Sequence, residues 1–206
     1  MSADKLQFNA VYAATFDPPT RGHAWMIREG MRLMKRLMIV VASNPGKTPL
    51  FSSEDRMAFL YSIAHQAKND IMMSNRDAKW EDYEFGITAV ADRLIVDYAA
   101  SDVGAKYLLR GIRSVADFDY ERQMQLINSD RNAGVTTVFL MPPRELAEIS
   151  SSLVKGLVPF ISDYRFLLNY VGSDVADALV EKHQISKAKA LKLEAAKGEK
   201  LLDEKK

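Results

Sequence analysis

Short apolar runs alternate with longer stretches of helical periodicity along the chain. The first run is FNAVYAATF, at residues 8–16, and it ends at a proline-rich turn. The second run, RLMIVVAS at residues 36–43, is apolar and rich in β-branched side chains, which is typical of a strand covered on both faces. Between them, residues 22–35 place Trp and Met side chains at helical spacing. The chain therefore begins with a predicted strand, helix and strand.

The alternation continues through the rest of the chain. Residues 52–67 (SSEDRMAFLYSIAHQA) predict a helix with Ser53 as its N-terminal cap. The run NDIMMS at 69–74 predicts a third strand, whereas the polar and aromatic residues 75–92 predict no definite element. The later predicted elements are a helix at 93–102, a strand within 104–111, a helix at 117–131, a strand at 135–143 and a helix entered at 150–158.

Repeated strand–helix units predict an α/β fold in which a five-stranded parallel sheet has helices on both faces. In such sheets, ligands bind outside the carboxyl ends of the strands, at the loops that lead into helices. Functional residues are therefore expected just after the strands and not within them.

Composition and charge narrow the class of protein. The chain has 206 residues, 48% of them hydrophobic and 27% charged, with a net charge of +1. Nothing in this balance favours nucleic acid or a membrane surface as a partner. The absence of cysteine excludes disulfides, thiolate metal sites and cysteine nucleophiles, and it fits a cytoplasmic protein. The expected domains are a folded domain at 1–186 and a Lys-rich tail at 187–206 that is helical or partly disordered.

Polar side chains follow four of the five predicted strands. They are Thr15, Asp17 and His23 after the first strand, Lys47 after the second, Arg110, Arg113 and Glu121 after the fourth, and the segment EISSSLVK after the fifth. Helix N-termini present free N–H groups to phosphate, and arginine and lysine complement its charge. No candidate nucleophile stands beside a general base. The set predicts a site that positions polyphosphate and stabilises charge during phosphoryl-type transfer.

Each of these residues also has a purely structural interpretation. Asp17 suits a turn, ISSS suits a helix cap, and the two arginines could pair with Asp117 or Asp119. Their recurrence at successive strand ends favours the functional interpretation.

Five segments resemble the phosphopantetheine adenylyltransferase family of the HxGH nucleotidyltransferase superfamily. They are TFDPPTRGH, ASNPGKTPLFSSEDR, LIVDYA, LLRGIRSVADFDYERQM and FLMPPRELAEISSSLVK, and they occur in order from about Tyr12 to Val158. The resemblance implies a Rossmann-like, doubly wound sheet. It also implies transfer of AMP from ATP to 4′-phosphopantetheine, giving dephospho-coenzyme A and pyrophosphate in coenzyme A biosynthesis, with Mg²⁺ assisting. A cytoplasmic homohexamer is the implied assembly.

The resemblance also implies roles for individual residues. The implied catalytic residues are His23, at the α-phosphate, and Lys47 and Arg110, at the phosphate of the acceptor. The implied ATP-binding residues are Thr15, Phe16, His23, Gly111, Ile112, Arg113, Glu121, Leu146, Ala147, Glu148, Ile149, Ser150, Ser151 and Ser152. The implied residues for the second substrate are Thr15, Lys47, Arg110 and Ile95, the last against the pantetheine arm. No residue of the protein is implied as a metal ligand.

The sequence departs from the family at four places. Ala13-Ala14 stands where the family has Pro-Gly, and residues 146–148 carry no aromatic side chain beside the predicted adenine site. Residues 74–93 form a longer segment, interpreted as either a lid over the acceptor or an insertion without function, and the tail extends past the usual end. Two alternatives therefore stay open: a related nucleotidyltransferase with another acceptor or with CTP, and a regulator that binds nucleotide or coenzyme A without catalysis.

Overall fold

The computed structural model describes residues 7–43, 46, 48–131, 134–161 and 164–184. The chain divides into two compact units between Ser151 and Ser152. The first unit contains the strands β1 (Ala10–Ala14), β2 (Arg36–Ala42), β3 (Glu84–Val90), β4 (Tyr107–Gly111) and β5 (Thr136–Leu140). Its helices are α1 (Arg21–Met34), α2 (Ser53–Ser74), α3 (Ile95–Tyr98), α4 (Val115–Asp130) and α5 (Arg144–Ala147). A 3-10 turn at Trp80–Asp82 precedes β3, and a π-helical turn at Ala99–Val103 continues α3.

The five strands form one sheet in the order β3-β2-β1-β4-β5. Every neighbouring pair is parallel, and in the centre of the sheet Tyr12 of β1 lies between Ile39 of β2 and Leu109 of β4. The predicted parallel sheet of five strands is therefore confirmed, with β1 as its central strand.

Alternate residues of β1 enter two separate apolar clusters. Ala10 and Tyr12 pack with the buried side chains of α1 and α2. Val11 and Ala13 pack with the π-helical turn at Ala99–Val103. Since successive side chains of a strand project to opposite faces, helices cover both faces, as the doubly wound arrangement requires.

The predicted third strand at 69–74 is wrong, because those residues form the last turns of α2. Ile71 is buried on the same helical face as Leu60 and Ala64, while Met73 is 86% exposed. An apolar run this short fits either element, and the helical spacing of the buried residues decides between them.

The N-terminal cap of α2 is Ser52 and not the predicted Ser53. The Ser52 hydroxyl accepts from the N–H of Asp55 at 3.0 Å, and the Asp55 carboxylate accepts from the N–H of Ser52 at 3.1 Å. This reciprocal pair is a capping box, which joins a serine to the acidic residue three positions later. The spacing Ser52–Asp55 is therefore the sequence signal for this helix start.

Part of the long segment at 74–93 forms the edge strand β3 and so belongs to the sheet. The lid and the insertion without function stay predictions. Ion pairs hold its start, from Lys35 to Asp82 and from Arg36 to Glu84, each at 3.3 Å. The ammonium of Lys68 lies 4.0 Å from the centre of the Trp80 ring, a cation–π contact. These contacts attach the segment to β2 and α2.

The second unit is helical in its described residues. α6 (Ser151–Leu157) begins at the division and is followed by a 3-10 turn at Val158–Phe160, by α7 (Tyr164–Leu167) and by a helix, α8, at 173–184. The predicted tail at 187–206 lies outside the described residues, and the predicted boundary at 186 stays a prediction. Within the described ranges, no helix has the length and apolar character that crossing a membrane requires.

Gly30 of α1 lies close to side chains of the sheet, and this closeness allows a test of the packing. A Cβ atom at this position would lie 2.8 Å from Cδ1 of Leu109 and 3.2 Å from Cδ2 of Leu37, both of which are fully buried. Overpacking costs about 1–3 kcal/mol, and the higher helix propensity of alanine returns about 1 kcal/mol. Gly30→Ala is therefore expected to lower the free energy of unfolding by about 0–2 kcal/mol, measured by urea denaturation.

Gly156→Ala is the matched control, since among the described residues no atom lies within 4 Å of a Cβ built there. It is expected to be neutral or slightly stabilising, because a helical alanine is favoured over glycine. A Gly30→Ala variant that is more stable than the wild type by about 1 kcal/mol, the gain expected at an unhindered helical position, would contradict close packing of α1 on the sheet.

Candidate active site

The carboxyl ends of the five strands meet at one edge of the sheet, and most predicted site residues lie at this edge. Thr15 and Phe16 follow β1, Ile95 begins the helix after β3, Arg110 and Gly111 end β4, Ile112 and Arg113 follow it, and residues 146–151 come after β5. His23 is in the first turn of α1. Lys47 lies outside the described residues, and Ser152 opens the second unit.

The turn between β1 and α1 has an unusual backbone. Phe16 is fully buried and has a φ of 50°, in the left-handed region that disfavours most side chains. The Asp17 carboxylate accepts hydrogen bonds from the N–H groups of Leu50, at 2.9 and 3.0 Å, and Phe51, at 2.9 Å. Asp17 therefore joins this turn to Leu50 and Phe51, just before α2, which supports its structural interpretation.

Arg56 is a residue of this site that the sequence analysis missed. Its guanidinium is buried and donates to the carbonyl of Thr15 at 2.8 Å, to the carbonyl of Ser52 at 3.1 Å and to the hydroxyl of Ser53 at 3.3 Å. The available signal was its position, because Arg56 stands on the same face of α2 as the buried Leu60. A charged residue on a buried helical face indicates a specific polar partner.

His23 is fixed by the cap of its own helix. The backbone N–H of Thr20 donates to Nδ1 of His23 at 3.0 Å, and the Thr20 hydroxyl lies 2.9 Å from the same nitrogen. A backbone N–H can only donate, so Nδ1 is the acceptor and the proton of the neutral ring is on Nε2. Burial, followed by the charge of Arg113, lowers the pKa of His23 to about 4. At neutral pH the ring is therefore uncharged and donates from Nε2.

Tyr12 connects the histidine with the arginines and was not singled out in the sequence. Its ring contacts Phe16 edge-on at 5.4 Å, and Phe16 contacts His23 in the same way at 5.0 Å. Burial raises the pKa of the Tyr12 hydroxyl far above its usual value, although the nearby charges of Arg110 and Arg113 act to lower it. A tyrosine within an apolar run of the sequence does not indicate that it lies near the site residues.

Arg110 is held on two sides. Its Nε and Nη2 donate to the two carboxylate oxygens of Glu121, each at 2.7 Å, and its Nη1 donates to the carbonyl of Ala13 at 3.1 Å. Only 23% of the Arg110 side chain and 12% of the Glu121 side chain are exposed. The guanidinium therefore lies in a defined plane beside the end of β1, near the start of the turn that leads to His23.

Arg113 pairs with Asp117, as the structural alternative predicted for one of the two arginines. Its Nε lies 3.0 Å from the Asp117 carboxylate, and its Nη1 donates to the carbonyl of Ile149 at 3.2 Å. The Ser114 hydroxyl caps α4 by accepting from the N–H of Asp117 at 3.1 Å. Arg113 thus joins the start of α4 to the segment after β5.

The segment after β5 also meets the β1–α1 turn. The Ser151 hydroxyl donates to the carbonyl of Pro18 at 2.8 Å. A Cβ at Gly22 would lie 3.8 Å from the carbonyl oxygen of Leu146 and 3.9 Å from that of Ile149. The structure thus brings the predicted residues after β1, β4 and β5 together, whereas Ile95 packs on the second apolar cluster.

Comparisons with known proteins agree on the family. The sequence profile of a family described as Cytidylyltransferase-like matches residues 11–157. A phosphopantetheine adenylyltransferase of Chromobacterium violaceum is 42% identical over 149 residues, which cover 72% of this chain and 81% of that protein. One of Neisseria meningitidis is 38% identical over 175 residues, which cover 85% and 94%. The chain belongs to the phosphopantetheine adenylyltransferases.

A solved structure supports the fold of this phosphopantetheine adenylyltransferase family member. The chain is similar to a Plasmodium falciparum nicotinic acid mononucleotide adenylyltransferase complexed with NaAD, with a TM-score of 0.51 and 13% identity over 85% of this chain and 94% of that one. At this identity the likeness concerns the fold alone. It agrees with the Rossmann-like sheet described above.

Ala13-Ala14, the first departure from other phosphopantetheine adenylyltransferases, leaves β1 regular. The two alanines pair with Val40 and Val41 of β2, and neither has a positive φ. The left-handed residue is Phe16, two positions later. The missing glycine is therefore not required for this backbone.

The hydrogen bond from Thr20 to His23 predicts the protonation of the imidazole. A nitrogen-detected NMR titration is expected to show His23 as the neutral ring with its proton on Nε2 at pH 7, protonating near pH 4 and not near its ordinary value of 6.5. The variant His23→Ala assigns the resonances. A pKa at or above 6.5 would contradict the geometry of the cap.

The lowered pKa of His23 also makes the stability of the fold depend on pH. Because the folded-state pKa of His23 lies below the unfolded value, its contribution to stability is present above about pH 6.5 and is lost as the pH falls toward 4. As the pH falls through this range, the unfolding free energy of the wild type should therefore decrease more than that of His23→Ala. A difference that does not change with pH would contradict it.

Proposed function

We propose that the chain transfers the adenylyl group of ATP to 4′-phosphopantetheine, giving dephospho-coenzyme A and pyrophosphate. The observation that carries this proposal is the meeting of His23, Arg110 and Arg113 at the edge of the sheet, in a chain whose relatives are named for this reaction. An oxygen of the acceptor's phosphate forms a bond to the α-phosphorus as the bond from that phosphorus to the pyrophosphate oxygen breaks. The attacking oxygen is already anionic, so no nucleophile of the protein is needed.

The main obstacle to this reaction is the repulsion between two anions. At 4 Å, two unit charges repel by about 4 kcal/mol at an effective dielectric near 20, and each phosphate carries more than one charge. Cations fixed beside the acceptor's phosphate remove part of this repulsion. We assign this role to Arg110 and to Lys47, and we assign the α-phosphate to the Nε2–H donor of His23.

The remaining predicted residues divide between the two substrates. Thr15 and Phe16 contact phosphate or nucleotide at the β1–α1 turn. The proposed ATP-binding residues are Gly111, Ile112, Arg113, Glu121 and residues 146–152. Ile95 is proposed to contact the pantetheine arm. A Cβ built at Gly22 would lie within 4 Å of the carbonyl oxygens of Leu146 and Ile149, and this closeness supports a nucleotide site built jointly by the β1–α1 turn and the segment after β5.

We further propose that Mg²⁺ enters this site with ATP. In the described part of the chain, no group of three or more acidic, histidine or cysteine side chains stands where it could hold a metal ion. Mg²⁺ typically keeps several waters and binds through substrate phosphates, so the phosphates of ATP would take the place of protein ligands. There it would neutralise charge on the transferred and departing groups.

A homohexamer is proposed as the assembly, and its support is the surface of α4. None of the 16 residues of this helix is buried, and Val115, Phe118, Leu126 and Ile127 are all exposed apolar side chains. Apolar surface of this kind marks contact sites. The cytoplasmic location stays a prediction.

A pyrophosphate-release assay tests the reaction. The wild type is expected to turn over ATP with 4′-phosphopantetheine, and not CTP or nicotinamide mononucleotide. His23→Ala should lower kcat by about 10²–10³, since it removes one hydrogen-bond donor to the developing charge, while ATP affinity measured by calorimetry changes little. His65→Ala, which removes a histidine packed between Tyr61 and Phe85, is the control and should keep kcat.

Two outcomes would reject the proposed function. Turnover of another acceptor with phosphopantetheine inert would indicate a related nucleotidyltransferase. Tight ATP binding without pyrophosphate release from any mixture would indicate a regulator.

The assembly is tested by sedimentation velocity. The wild type is expected to sediment as a hexamer, and Leu126→Glu, which places a charge on the exposed side of α4, should shift it to smaller species. Met73→Glu, at an 86% exposed position of α2, is the control. A monomeric wild type would reject the hexamer.

A further inference from the structure

Glu121 makes a two-point contact with Arg110. One carboxylate oxygen accepts from Nε and the other from Nη2, both at 2.7 Å. Distances this short are typical of charge-assisted hydrogen bonds, and the fork-to-carboxylate pairing also fixes the relative orientation of the two groups. Both oxygens of Glu121 are therefore directed at the guanidinium.

The pairing leaves part of Arg110 available to a ligand. A guanidinium has five N–H groups, and contacts with the described residues use three of them: one on Nε, one on Nη2 and one on Nη1. One N–H on each terminal nitrogen remains. Such donors form charge-assisted hydrogen bonds with phosphate oxygens.

We propose that Glu121 is a positioning residue that acts through Arg110. It holds the guanidinium plane so that the remaining N–H groups are presented to the acceptor's phosphate. This inference rests on the proposed function. Loss of the Glu121 carboxylate would remove the partner of a partly buried cation.

Two physical effects of losing the Glu121 charge act in opposite directions. Removing a negative charge near anionic substrates strengthens their binding and lowers KM. Releasing Arg110 from its fixed plane means that binding must order a flexible side chain, which raises KM. The direction of the change therefore distinguishes positioning from simple electrostatics.

The test is Glu121→Gln, assayed by steady-state pyrophosphate release with each substrate varied in turn. The KM for 4′-phosphopantetheine is expected to rise about tenfold, equivalent to about 1.4 kcal/mol. Asp119→Asn is the matched control, because Asp119 is exposed on α4 two residues earlier and its loss removes one charge without touching Arg110. It should leave both KM values within twofold.

A double-mutant cycle with Arg110→Lys tests whether Glu121 acts through Arg110. Lysine lacks the planar fork, so Glu121→Gln in that background should change the KM for phosphopantetheine by less than twofold. If the changes in KM caused by the two single substitutions simply multiply in the double variant, the two residues act independently, and this would overturn the proposal. Glu121→Asp, which keeps the charge, should restore part of the lost affinity and serves as the second variant if Glu121→Gln does not fold.

Other outcomes also overturn the proposal. A rise in the KM for ATP alone would assign Glu121 to the nucleotide, and unchanged or lower KM values would leave it without a positioning role. These results require a wild type that turns over phosphopantetheine. A wild type inactive on that acceptor would instead reject the proposed function.

Discussion

The turn between β1 and α1 holds its shape through hydrogen bonds from side chains that lie outside it. A residue with positive φ such as Phe16 costs about 1–2 kcal/mol, so the surrounding structure must over-determine it. Arg56 donates to the carbonyl of Thr15, and Ser151 donates to that of Pro18. The carboxylate of Asp17 accepts from the N–H groups of Leu50 and Phe51. The positions of Thr15 and His23 depend on this one turn, and so does everything proposed for the chemistry.

Arg110 and Arg113 show a second constraint, which is that each is oriented by a carboxylate of α4. Arg110 pairs with Glu121 and Arg113 with Asp117, so the start of one helix sets the geometry of both cations. A long cationic side chain has about 2 kcal/mol of rotamer entropy to lose when it becomes ordered. Because the protein has already ordered the guanidinium, the binding of substrate does not have to reduce this rotamer entropy.

The sequence predicted those parts of the molecule whose pattern is local. The runs at β1, β2, β4 and β5 are apolar and bounded by turns, and the edge at which they end follows from parallel pairing. β3 could not be predicted in this way. Its sequence EFGITAV begins at a charged residue and contains a glycine over which Phe8 and Met38 pack. Arg36, which is distant in sequence, pairs with Glu84 at the start of the strand, and Lys68, also distant, contacts Trp80 just before it. Arg56 and Tyr12 were missed for the same reason, since their partners are set by tertiary contacts and not by spacing.

A neutral His23 limits what the imidazole can contribute to the proposed reaction. A general acid works best when its pKa is near the working pH, and the pKa of His23, lowered to about 4, leaves almost no protonated ring at neutral pH. Pyrophosphate leaves as an anion and does not depend on a proton from the protein. The imidazole is therefore suited to act as a fixed hydrogen-bond donor toward charge that develops at the α-phosphate, in the manner of an oxyanion hole. In the proposed reaction, the positive charge would come from the arginines, from Lys47 and from any metal that accompanies ATP. A histidine that burial, together with the charge of Arg113, keeps neutral is therefore compatible with this chemistry.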